Sequence, residues 1–182
     1  MTEQVLYIEG IPVKLTRKRM KSVRLRVKSP SGDVCLSAPY HVPEAELRTF
    51  VAARADWIRQ QQTRIAASPS ARAEAASREE IEAWRTVVKA CVPPLVEQWA
   101  AILDIHPKTI AYRNMKSRWG SCQPSTGRIC INVRLALYPP ECLEYVVVHE
   151  LCHLLERGHG PRFHALMDAF MPDWKERRAK LR

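Results

Sequence analysis

Glycine is scarce in this 182-residue chain, and the six present build no glycine-rich phosphate loop. Acidic residues are also in deficit, 19 against 29 basic, with no carboxylate cluster suited to Mg²⁺. No stretch approaches the ~18 consecutive apolar residues of a membrane span. The opening Met1-Thr2-Glu3-Gln4 has no basic segment followed by an apolar one, so no secretory signal is visible and the cytoplasm is the default expectation. The six cysteines include no CxxC pair, and without an export signal they are expected as small buried apolar residues, not disulfides. Cys122 and Cys130 are expected as strand neighbours near a metal site, with thiolate ligation the lesser reading. No internal repeat is present.

The composition that remains is that of a globular protein: 46% hydrophobic and 26% charged, enough for one domain or one domain with a modest extension. The net charge of +10 is concentrated, with eight basic residues and no acid between Lys14 and Lys28. That run reads either as a solvated strand face or as a surface for nucleic acid or nucleotides. Val23-Arg24-Leu25-Arg26-Val27 alternates with period two, and a turn at Ser29–Asp33 leads into a return strand, Val34-Cys35-Leu36. A helix is predicted from Pro43-Glu44, with Leu47, Val51, Ile58 and Ile65 on one side. It frays at Ala67-Ser68-Pro69-Ser70. Two helices end to end are predicted over Ser77 to Leu103, separated at Pro93-Pro94, because proline lacks an amide donor. Short strands are expected at 108–114 and 128–134. The domain reading is a β-rich segment plus helix over 1–67, a linker over 68–76 and a metallohydrolase domain over 77–182.

The informative motif is His149-Glu150-Leu151-Cys152-His153. On a helix, positions i and i+4 share a face one turn apart, so both imidazoles can reach one metal ion. Glu150, beside the first of them, can reach a metal-activated water as general base. Given six histidines and fourteen glutamates, chance would produce this pattern roughly 0.015 times in such a chain. The preceding Leu143–Val148 segment is apolar nearly all round, which marks a buried helix whose charged groups need partners. Three imidazoles with one open position would form a catalytic Zn²⁺ site. His159, after Gly158, is the leading third ligand, since a glycine at positive φ would end the helix and return the next residue to the metal. His164 competes from the following helix.

Three segments together resemble the YgjP-like family of metal-dependent hydrolases, relatives of the SprT-like zincins: Met115-Lys116-Ser117-Arg118-Trp119-Gly120-Ser121-Cys122, then Ile131-Asn132-Val133-Arg134-Leu135, then Tyr145 to His153 with His159. Met171-Pro172-Asp173-Trp174 is similar as well. The resemblance implies zinc on His149, His153 and His159 and Glu150 as catalytic base. It also implies an α+β, zincin-like fold with the active-site helix on a small antiparallel sheet, preceded by the N-terminal β-rich segment and helices. Glu156 stands where the longer metzincin signature has glycine, so the chain is not a metzincin by pattern.

The sequence-level conclusion is a zinc-dependent peptidase acting on a protein or peptide substrate. Metal-dependent hydrolysis of nucleoside polyphosphates is the alternative, and a DNA-associated binding module or protease is a third. Trp119 reads equally as core or cleft residue, and nothing selects among Tyr112, Tyr138 and Tyr145 as an oxyanion partner.

Overall fold

Period-two alternation builds the first sheet. The computed structural model describes residues 3–181, and the chain divides into two units, Met1–Ala75 and Ala76–Arg182. In the first unit, strands β1 (Glu3–Ile8), β2 (Ile11–Arg17), β3 (Arg24–Val27) and β4 (Val34–Ala38) lie in the order β1-β2-β4-β3. The outer pairs are antiparallel, and β2 runs parallel to β4. Val13, Leu15, Val34 and Leu36 point inward against Leu47, Val51 and Ile58 of helices α1 (Glu44–Ala52) and α2 (Ala55–Ala66). The register sets Arg24 beside Ser37 and Arg26 beside Cys35 on the opposite, open face, as alternation requires.

Two helical expectations change in this unit. The single helix after Pro43 is broken at Ala53-Arg54, where the Arg54 guanidinium lies 3.8 Å over the Phe50 ring and donates to the Phe50 carbonyl at 2.9 Å. The segment read as a linker contains a third helix, α3 (Pro69–Ala75). Proline is favourable in its first turn, and the Ser68 hydroxyl accepts from the Ala71 amide.

The second unit begins with α4 (Arg78–Leu103), opened by a reciprocal Ser77–Glu80 capping box. This helix is continuous through Pro93 and Pro94, contrary to the predicted break. Trp84, Val88, Val92, Val96, Ala100 and Leu103 form one buried stripe on both sides of the prolines, so packing holds the whole length to the core. Both prolines face solvent, together with Lys89 and Ala90, whose carbonyls lose their intrahelical donors and can turn to water.

Strands β5 (Thr109–Arg113), β6 (Gly120–Gln123) and β7 (Arg128–Asn132) follow, then a 3-10 turn at Val133–Leu137 and helices α5 (Pro140–Leu155), α6 (Pro161–Phe170) and α7 (Trp174–Ala179). The architecture is α+β. The sheet is mixed, not wholly antiparallel: β6 and β7 form an antiparallel hairpin, and β5 runs parallel to β7 in the order β5-β7-β6. The cause is the segment from Asn114 to Trp119, which crosses the end of β7 so that β6 descends on its far side.

Asn132, 1% exposed at that end of β7, fastens the crossing segment. Its side-chain amide donates to the carbonyls of Met115 at 2.8 Å and Arg118 at 2.7 Å. Its carbonyl oxygen accepts from the Met115 amide at 3.2 Å and the Arg134 amide at 3.1 Å. Each buried polar group left without a partner costs about 1–3 kcal/mol. Asn132→Ala is therefore expected to lower the unfolding free energy by several kcal/mol, read as a fall in denaturant midpoint. Wild-type stability in this variant would show that the crossing segment does not depend on it.

Candidate metal centre

Helix α5 is buried on nearly every side, including Tyr145 to Val148 and Leu151 to His153. A helix of that kind accepts polar side chains only where they have partners. His149 and His153 project from one face, and the helix ends two residues after His153, where Glu156 is extended with φ −136° and ψ 115°. The expected left-handed glycine plays no part in this return, since Gly158 is not among the residues of positive φ. The extended Glu156 backbone instead presents its carbonyl oxygen 3.0 Å from His153 Nδ1. A proton on Nδ1 leaves the lone pair on His153 Nε2.

The loop brings His159 back to the helix. The three Nε2 atoms of His149, His153 and His159 lie 3.1 to 3.2 Å from one another. Two nitrogens at about 2.0–2.1 Å from a tetrahedral ion stand about 3.3 Å apart, so this spacing fits a metal centre. Three imidazole lone pairs turned toward one point have no mutual hydrogen-bond solution, whereas a cation at that point satisfies all three. The buried Phe163 ring backs the cluster, with centroids 4.5 to 4.9 Å from each imidazole. His164 is outside the cluster, stacked on Trp174 at an interplanar angle of 7°.

Glu150 is 4% exposed, and its Oε2 has no hydrogen-bond partner. Burial pushes its carboxyl up to about 8, with the Arg118 charge opposing in part. Burial, reinforced by His153, His159 and Arg178, holds His149 down to about 3. His159 is likewise lowered, by burial first and then by His153, His164 and Arg178. The metal-free His149 imidazole is therefore neutral at ordinary pH, with its lone pair available to a cation.

Gly120 allows the carboxyl its position. A Cβ built on it would fall 2.7 Å from Glu150 Cγ and 2.8 Å from Cδ, closer than van der Waals contact permits. The sequence motif does not reveal this contact, because Gly120 and Glu150 are joined only by the packing of β6 on α5. Tyr145 is the tyrosine of the three nearest the cluster, its hydroxyl 3.5 Å from His149 Nδ1. Trp119 occupies both of its anticipated settings, packing edge-on against Tyr138 at 4.8 Å and lining a cavity of ≈ 620 Å³ beside the imidazoles. A second cavity of ≈ 450 Å³, lined by Ser121, Cys122 and Ser125, opens onto the same three rings. Cys122 and Cys130 are on adjacent strands but outside the cluster, and burial followed by the Glu150 charge raises the Cys122 thiol to about 11. All six cysteines are free, and Cys91 is exposed.

A carboxyl flanked by imidazoles on a buried helix, completed by a third imidazole from the next loop, has the donor set of a metallopeptidase. The chain belongs to the YgjP-like family: the family's sequence model, described as a YgjP-like metallopeptidase domain, matches residues 21–87 and 70–182. Two solved structures are similar. The metallopeptidase zymogen of Pyrococcus abyssi abylysin is 22% identical, covering 50% of this chain and 90% of its own, with a TM-score of 0.45. The metallopeptidase zymogen of Methanocaldococcus jannaschii jannalysin is also 22% identical, covering 50% and 92%, with a TM-score of 0.44. No curated protein matches. No helix among the described residues is long and apolar enough to cross a membrane.

Two outcomes follow from the burial of Glu150. Gly120→Ala is expected to displace its carboxyl and lower turnover while metal content, measured by elemental analysis, stays at the wild-type level. In chelator, a carboxyl held near 8 in the fold and near 4.5 in the unfolded chain leaves stability intact below about 4.5 and erodes it as pH rises to about 8. Metal-free Glu150→Gln should therefore melt above wild type at pH 9, with the gap closing by pH 4. A gap independent of pH would contradict the burial argument.

Proposed function

We propose that this protein is a zinc-dependent peptidase in which His149, His153 and His159 hold the ion and Glu150 is the general base. The convergence of three Nε2 atoms beside a buried carboxyl with an unpartnered oxygen carries this reading. A zinc ion held by these three imidazoles would supply Lewis-acid chemistry, lowering the pKa of a water toward ~7 and polarising a carbonyl. Glu150 accepts the proton of the attacking water and delivers it to the leaving amine nitrogen. Its burial favours this role, because it keeps the carboxyl basic enough to hold a proton near neutral pH. The Glu156 carbonyl orients His153, and Tyr145 stands behind His149. Strand β6, at the sheet edge beside Glu150, offers backbone groups for an extended peptide.

Hydrolysis of nucleoside polyphosphates has less support. The cavities at the imidazoles have no glycine-rich phosphate loop among the described residues that line them. Glu150→Gln is expected to retain the ion and lose about 10²–10⁴ in turnover of a casein-like substrate, the usual worth of a general base. His153→Ala is expected to lose both ion and turnover. Full turnover by the glutamine variant would remove Glu150 from the reaction.

A second surface supports contact with nucleic acid. Lys18, Arg19, Arg24, Arg26 and Lys28, with the hydroxyls of Thr16 and Ser37, line a hollow of ≈ 420 Å³ on the open side of the first sheet, and no acid is among them. Phosphate contacts there would release counterions, so affinity for single-stranded DNA is expected to fall steeply with salt and to weaken for Arg24→Ala combined with Arg26→Ala. A salt-independent affinity would argue against this surface.

A further inference from the structure

The ≈ 620 Å³ cavity on one side of the imidazoles contains an uneven set of charges. Arg118, from the crossing segment before β6, and Arg178, from α7, both line it, together with His164. Its acidic lining residue is Glu150, which is buried. Neither guanidinium makes a hydrogen bond or ion pair among the described residues.

The contrast with the preceding residue in α7 is informative. Arg177 is engaged by both Asp173, at 2.8 Å, and Glu144. Glu144 also accepts from the Trp99 indole at 3.0 Å, which ties α7 to α4 and α5. That tie anchors the turn from which Arg178 extends, so Arg178 is a cation on a fixed base with no hydrogen-bond or ion-pair partner among the described residues. Trp119, Trp174 and Phe163 make part of the remaining wall aromatic. A ligand entering the cavity displaces water, and a guanidinium–carboxylate pair gains strength as water leaves.

Resting on the peptidase reading above, we infer that this cavity is a substrate subsite for a carboxylate next to the scissile bond, bound by the Arg178 guanidinium with Arg118 as second donor. The carboxylate has two sources in a peptide, an aspartate or glutamate side chain and a free C-terminus. A guanidinium fork matches either in the same bidentate way.

The test compares acetyl-Ala-Ala-Glu-Ala-Ala-amide with its Gln and Lys counterparts, and acetylated pentaalanine ending in a free carboxylate with its amide. Cleavage is followed by mass spectrometry as kcat/KM in zinc-loaded protein. Binding is followed separately by the fluorescence of Trp119 and Trp174, which line the cavity. Wild type is expected to bind and cut at least one carboxylate peptide about tenfold better than its neutral counterpart. A gain confined to the Glu peptide identifies a side-chain subsite, and one confined to the free acid identifies a terminal-carboxylate subsite.

Arg178→Gln is expected to erase the preference, and Arg178→Glu to reverse it toward the Lys peptide. Arg178 is exposed and has no side-chain partner among the described residues, so both variants should fold. An unchanged preference in Arg178→Gln, or wild-type cleavage and binding indifferent to charge, overturns the subsite. Charge-dependent binding without cleavage of any peptide or of casein overturns the peptidase reading and leaves the subsite standing.

Discussion

Everything distinctive in the second unit depends on an electrostatic problem set inside a hydrophobic helix. Three imidazole nitrogens face one point, and a carboxyl is buried beside them with an oxygen unpartnered. In an apolar core such a cluster is expensive by itself and favourable around a cation. The surrounding structure maintains the arrangement: Phe163 backs the rings, Glu156 orients one of them, and Gly120 leaves room for the carboxyl.

The support for this cluster extends outward in layers. Gly120 is positioned by β6, and β6 is placed beyond β7 by a crossing segment that Asn132 fastens through both of its amide atoms. On the other side, Glu144 and Arg177 connect α5 to α7, and α4 is joined through Trp99. The candidate metal centre is thus the convergence of a sheet end, a helix end and a loop, each fixed by its own hydrogen bonds.

The five-residue motif on α5 is legible because helical periodicity converts sequence spacing directly into spatial proximity. His159 is nearly as accessible, since it follows the helix by only a few residues, although the return uses an extended Glu156 and not a left-handed glycine. The β3–β4 hairpin follows from alternation, whereas the α+β class is what the family resemblance of the second unit's motifs implies. What is not legible depends on distant packing. The close approach of Gly120 to Glu150 and the entry of Arg178 into the cavity join residues far apart in the chain. The parallel pairing of β5 has no local signature, because it depends on where the hairpin is inserted. The prolines of α4 mislead because their local cost is outweighed by a buried stripe that continues on both sides of them.

Strand β6 has one more implication. It is four residues long, begins at Gly120 and is followed by Pro124, and its outer edge pairs with no other strand among the described residues. An edge so short recruits neighbouring copies poorly, which guards against runaway self-association. The same brevity limits how many rungs any guest chain could add.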